Sequence, residues 1–145
     1  LAACCFAAMF GSVLTIGREI FSDYQHWSAN DIALADYIDA NAESDALFLT
    51  SDSHVTPVFA LAGRRILCGS GSYVYYHGMD YADEYSAMAA LYEHPNESTL
   101  AAWDVGYVLF DSSVYGKFAD ADERWYAARY PVWYENDGCR VYKIK

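Results

Sequence analysis

The sequence predicts an α/β domain: a small mixed sheet flanked by helices, closed by a C-terminal β-hairpin and preceded by the end of a transmembrane helix. Three observations predict it. Short apolar runs at Ala46–Thr50, Arg64–Cys68 and Gly106–Asp111 have the length and uniformity of strands buried on both faces. Stretches of helical periodicity separate them, which argues for parallel pairing through crossovers. Asn136-Asp137-Gly138 between two β-rich segments is a hairpin turn.

Leu1 to Gly17 is uncharged and ends at Arg18-Glu19. As a helix it spans about 26 Å, just short of the roughly 30 Å of a bilayer core. The chain does not begin with Met, so an upstream continuation that completes a span is expected. A buried core helix is the competing reading, because Ala, Cys and Gly make the run only moderately apolar. Neither a lipoprotein box at Leu1-Ala2-Ala3-Cys4 nor a cleaved leader fits, since apolar sequence follows the first and the second needs a basic start. The expected division is therefore 1–20 for the end of a transmembrane helix and 21–145 for the folded domain. No Lys or Arg occurs between Arg18 and Arg64, which favours the extracytoplasmic side for the domain.

Ser28-Ala29-Asn30-Asp31 reads as a capping box, followed by Leu34, Ala35, Ile38 and Ala42 on one helical face. Val55–Ala62 is expected to form one or two turns of helix, with Pro57 in the first turn and Gly63 as C-cap. Gly69–Ser72 is expected to be a flexible turn. Asp80–Glu93 is amphipathic, with Tyr81, Tyr85, Met88 and Tyr92 near one face. His94-Pro95-Asn96 stops that helix, and Asn96 or Ser98 caps a short one through Trp103. Lys117–Tyr130 is expected as one helix, and Val132–Glu135 with Cys139–Ile144 as the hairpin.

A net charge of −11, with nine Lys and Arg, argues against a nucleic-acid partner, because phosphate binding needs clustered cations. The four cysteines contain no Cys-x-x-Cys pair, so a zinc ribbon or thioredoxin-like site is excluded. A Cys68–Cys139 disulfide requires neighbouring strands; buried free thiols are the alternative. The polar residues concentrate in 51–81. Asp52 and His54 follow the first strand, where open α/β sheets bind ligands. With Arg64, Tyr76, His77 and Asp80 they form the candidate ligand-binding set. His54, His77, Asp52 and Asp80 match no metal-ligand spacing, so no metal and no cofactor are assigned. Arg64 or Arg65 suits an anion or pairs with one of this chain's own carboxylates. The tyrosines around His77 suit sugar C–H faces or simply pack a core. Asn96-Glu97-Ser98 has the form of a glycosylation acceptor. No nucleophile elbow or catalytic cysteine setting occurs, and no catalytic residue is assigned.

The order Asp36-Tyr37-Ile38-Asp39-Ala40-Asn41, Ala46–Thr50, His54, Pro57-Val58, Leu61-Ala62-Gly63-Arg64, Gly69, Tyr76-His77-Gly78, Asp80-Tyr81 and Val105–Leu109 resembles the C-terminal extracytoplasmic domain of polytopic GT-C glycosyltransferase-like membrane proteins. The likeness runs over roughly residues 5 to 115, and the order and spacing of the pieces carry it. It implies an accessory domain beside many spanning helices, in a protein that transfers sugar from a lipid carrier. The catalytic acid of such proteins lies in an upstream loop, so this chain would not catalyse alone. The expected partners are the membrane, through residues 1–17, and a lipid-linked sugar or glycan. The signature Trp-Trp-Asp-Tyr-Gly of oligosaccharyltransferases is absent, and Tyr75-Tyr76-His77-Gly78 does not replace it. The competing readings are a soluble small-molecule or sugar-phosphate binding module and a purely structural domain.

Overall fold

A computed structural model describes residues 2–22 and 26–145, with side chains from Met9 onward. Helix α1 (Ala2–Phe21) leads the chain, and its described apolar side chains, among them Val13, Leu14, Ile16 and Ile20, stay exposed. Among the described residues no helix is long and apolar enough to cross a membrane. Leu1 and the side chains of 2–8, which the expected span includes, lie outside them.

Helix α2 (Ala29–Asn41) begins where the capping box places it. The Ser28 hydroxyl oxygen accepts from the Asp31 amide, and the Asp31 carboxylate accepts from the Ser28 amide. Leu34, Ala35 and Ile38 are buried on its inner face. Strand β1 (Leu47–Leu49) follows. The next segment, Pro57–Leu61, is a π-helical turn rather than an α-helix. The Thr56 side chain caps it, Ala62 N–H reaches back five residues to the Pro57 carbonyl, and Gly63 closes it at φ +62°. That positive φ is the conformation glycine adopts without steric cost.

Strand β2 (Arg65–Ile66) is shorter than its apolar run. The expected flexible turn at Gly69–Ser72 instead runs into a helix, α3 (Gly71–Tyr76). It ends in a Schellman motif, with Gly78 N–H bonding Tyr75 O, Met79 N–H bonding Val74 O, and Gly78 at φ +73°. Helices α4 (Ala82–Glu93) and α5 (Glu97–Ala102) lead to β3 (Tyr107–Asp111).

Of the helix expected over 117–130, only α7 (Glu123–Ala127) is helical, and Lys117 instead ends an earlier helix, α6 (Ser112–Lys117). Buried Phe118 and the Asp122 cap break the run, because Asp122 takes its own amide to Tyr92 O and offers its carboxylate to the Trp125 amide. Strands β4 (Val132–Asn136) and β5 (Cys139–Lys143) form the hairpin.

The sheet order is β2-β1-β3-β5-β4, with β1 parallel to β2 and β3, and β5 antiparallel to β3. The fold is thus the mixed, helix-flanked α/β sheet with a C-terminal hairpin. Alternation along β1 and β3 divides the core in two. Phe48, Tyr107 and Leu109 pack with α2 and the π-turn, whereas Leu47, Leu49, Val108 and Phe110 pack with α4 to α7. Two strands separate Cys68 from Cys139, and both thiols are free. Burial pushes the pKa of Cys68 up to about 11, assisted by the Asp52 and Glu84 charges.

Candidate functional site

The chain leaves β1 toward β2 on one side and returns to β3 on the other, so the strand order reverses between β1 and β3. Loops diverging from neighbouring strand ends open a crevice there, the usual ligand position in open α/β sheets. Thr50-Ser51-Asp52 leaves β1 at this point and Asp111-Ser112-Ser113 leaves β3. The Ser51 and Ser113 hydroxyls meet at 2.8 Å, and Ser113 Oγ donates to Asp111 Oδ1, also at 2.8 Å. The same Asp111 oxygen caps α6 by accepting from the Val114 amide. Beneath them the Tyr92 hydroxyl lies between two strand carbonyls, 2.8 Å from Leu109 O and 3.1 Å from Leu49 O. One phenol thus ties β1 to β3 where their loops part. Replacing Tyr92 by Phe keeps the ring and leaves both buried oxygens without that donor. A loss of about 1–2 kcal/mol is expected, read as a lower urea midpoint at unchanged slope.

On the α4 side of the crevice, Asp52 pairs with Lys117 at 2.5 Å. The Lys117 ammonium also lies 4.8 Å from the centre of the Tyr85 ring. Burial by itself would lower the Lys117 pKa, but the hydrogen bond and charge of Asp52 outweigh it and hold the ammonium above its ordinary value. On the α2 side, a cavity of about 150 Å3 lies among Ser28, Asn30, Asp31, Pro57, Asp111 and Asn136. A larger concavity of about 340 Å3 opens at the opposite edge, beside Glu43, Asp45, Asp104 and Lys145. Its charged side chains are solvent-facing, with Lys145 bonded to Asp104. The switch point gathers convergent, partly buried polar groups that bond to one another, and the cavity beside Asp111 and Ser112 is the concavity next to them.

Asp52 and His54 lie on the loop after β1, as expected. The His54 ring packs on Tyr73 with centroids 4.4 Å apart, which links that loop to α3. Tyr76 and His77, at the end of α3, and Asp80, on the following loop, are exposed. Asp80 Oδ1 accepts from the Ala82 amide at the start of α4. Arg64 is placed elsewhere. It precedes β2, at the opposite edge of the sheet, where its guanidinium donates to the carbonyls of Ala62, Asp39 and Ala42 and pairs with Asp39 at 3.1 Å. It thereby satisfies carbonyls at the end of α2, which have no partner within the helix. Asn96 caps α5, its Oδ1 accepting from the Thr99 amide and the Ser98 hydroxyl.

Ser51, Asp111, Ser113 and Lys117 were not singled out from the sequence. A signal was present: Thr-Ser-Asp-Ser after one apolar run and Asp-Ser-Ser after another mark two strand ends of the same kind. Only the strand order shows that the two are neighbours. A separate network beside the β3–β5 pair joins Glu123 to Arg140 and Tyr142, each at 2.8 Å, and to Tyr115 on α6. Burial by itself would raise the Glu123 pKa, but those donors outweigh it and hold the carboxyl below its ordinary value.

No family model and no curated protein matches this chain. Among solved structures, the C-terminal globular domain of an oligosaccharyltransferase from Archaeoglobus fulgidus is similar in fold. The TM-score is 0.54 at 8% identity, covering 82% of this chain and 99% of that domain.

Proposed function

We propose that this chain is a non-catalytic accessory domain of a GT-C-like glycosyltransferase that takes sugar from a lipid carrier. In this reading residues 1–17 belong to the membrane anchor and the α/β domain stands on the extracytoplasmic side. The fold likeness to an oligosaccharyltransferase C-terminal domain carries the reading, because it extends over nearly the whole of that domain. The helix α1, with Val13, Leu14, Ile16 and Ile20 all exposed, supports the anchor. The crevice between β1 and β3, with Asp52, Ser51, Ser113 and Lys117, is the groove the glycan borders, and His54 lies on its outer side.

The test uses the isotopically labelled full chain in phosphatidylcholine nanodiscs, titrated with a polyprenyl diphosphate-linked oligosaccharide. Amide shifts are expected at 51–54 and 111–117, with no glycosidic product formed by the chain alone. A chain that stays monodisperse in detergent-free buffer, does not insert, and responds equally to a soluble sugar phosphate would replace this reading with that of a soluble binding module.

A further inference from the structure

The edge of the sheet that holds the crevice also carries an exposed aromatic surface with no place in glycan contact at the switch point. Helix α3 buries none of its residues. A helix this short normally persists by packing one face on its neighbours. Here Tyr73, Tyr75, Tyr76 and Met79 are 57%, 70%, 85% and 57% exposed. Val55 stands exposed beside His54, whose ring touches Tyr73. The sequence from Ile66 to Met79 contains no Asp, Glu, Lys or Arg, although 20% of the chain is charged. The concavities described above lie elsewhere, so this is a protruding surface rather than a pocket.

The point where the chain enters the domain bears on what covers it. Asn136, at the hairpin turn, donates from Nδ2 to Asn30 O at 3.0 Å, which fixes the first turn of α2 at the edge where β3 ends. The chain therefore enters the domain at the C-terminal end of the parallel strands, the end from which the β2–α3 loop also leaves. Phe21, the last residue of α1, precedes Ser28 by a span that reaches at most about 25 Å when extended. The apolar helix thus joins the domain at the same end of the parallel strands from which the loop to the uncharged tyrosine surface leaves. Tyrosine has an apolar ring and a polar tip, the pairing that collects at the headgroup level of bilayers.

We propose that the α3 surface docks on the bilayer: Tyr73, Tyr75, Tyr76 and Met79 rest among the headgroups of the membrane that α1 enters. The proposal rests on the anchor reading given above. The surface it requires is zwitterionic phospholipid, because a chain with net charge −11 is repelled by anionic headgroups. Docking would turn the C-terminal edge of the parallel strands, with the β1–β3 crevice, toward the lipid from which a carrier-linked sugar projects.

The full chain in phosphatidylcholine nanodiscs containing a trace of gadolinium-headgroup lipid provides the test. Amide signals of 73–79 and of Val55 should broaden roughly twofold more than those of 43–46 and 104 at the opposite edge, as headgroup contact requires. The triple substitution Tyr75→Ser/Tyr76→Ser/Met79→Ser should abolish the difference without moving the thermal midpoint. Tyr76→Ser alone serves if the triple variant does not fold. Replacing part of the phosphatidylcholine with phosphatidylserine should weaken the effect. If α1 amides broaden while both edges broaden alike, docking is overturned and the anchor stands. If α1 amides do not broaden either, the anchor reading falls and docking with it.

Discussion

Phe110→Ala should lower the stability of the domain by about 3–5 kcal/mol, the largest loss expected for a single substitution in the sheet. Phe110 is 1% exposed on β3. Three tyrosine rings meet it edge-on: Tyr92 at 5.4 Å, Tyr126 at 5.5 Å and Tyr142 at 5.9 Å between centroids. Such pairs contribute about 0.5–1.5 kcal/mol each beyond area burial. The surrounding rings cannot collapse into the void. The Tyr92 hydroxyl is held by strand carbonyls and the Tyr126 hydroxyl by Leu91 O at 2.7 Å. A cavity therefore remains, and a remaining cavity is what makes large-to-small substitutions severe. Chemical denaturation reads the loss directly; a change under about 1 kcal/mol would mean that the tyrosines repack and that the described core is wrong.

Arg64→Ala and His77→Ala should part company. Both residues belong to the polar stretch that the sequence marks as a binding region, yet their surroundings differ. The Arg64 side chain is 11% exposed and joins the end of α2 to the segment before β2 through three carbonyls and Asp39. Its removal is expected to cost about 2–3 kcal/mol, since hydrogen bonds from a charged donor contribute about 1.5–3 kcal/mol each and are not additive. Most of that loss comes from helix-end carbonyls rather than the ion pair, because Asp39 is 75% exposed. His77 is exposed at the C-cap of α3, and its loss should stay within about 0.5 kcal/mol. The two thermal midpoints, measured side by side, separate a structural arginine from a histidine available to a partner. Equal effects would contradict these placements.

Much of the fold was legible because local chemistry fixes it. The Ser28–Asp31 box, the Asn96 cap, the Asn136-Asp137-Gly138 turn and the apolar runs of β1 and β3 specify their own conformations within a few residues. The π-turn at Pro57–Leu61 and the break at Phe118 were not legible. The break depends on a distant acceptor, Tyr92 O for the Asp122 amide, and the π-turn on how buried Val58 packs against Leu34, Ala35 and Ile38 of α2. Helix α3 was missed for a related reason: its Gly-Ser start reads as a turn, and no buried face gives it helical periodicity.

By itself the sequence determined the α/β class, the hairpin and the concentration of polar groups after β1, because capping, alternation and turn preferences act over a handful of neighbouring residues. Tertiary structure alone decided that β3 lies beside β1, that Ser51, Asp52, Ser113 and Lys117 share one crevice, and that Arg64 belongs to the other edge. Strand order is set by which apolar faces bury together across long separations in the chain, and no local pattern encodes that choice.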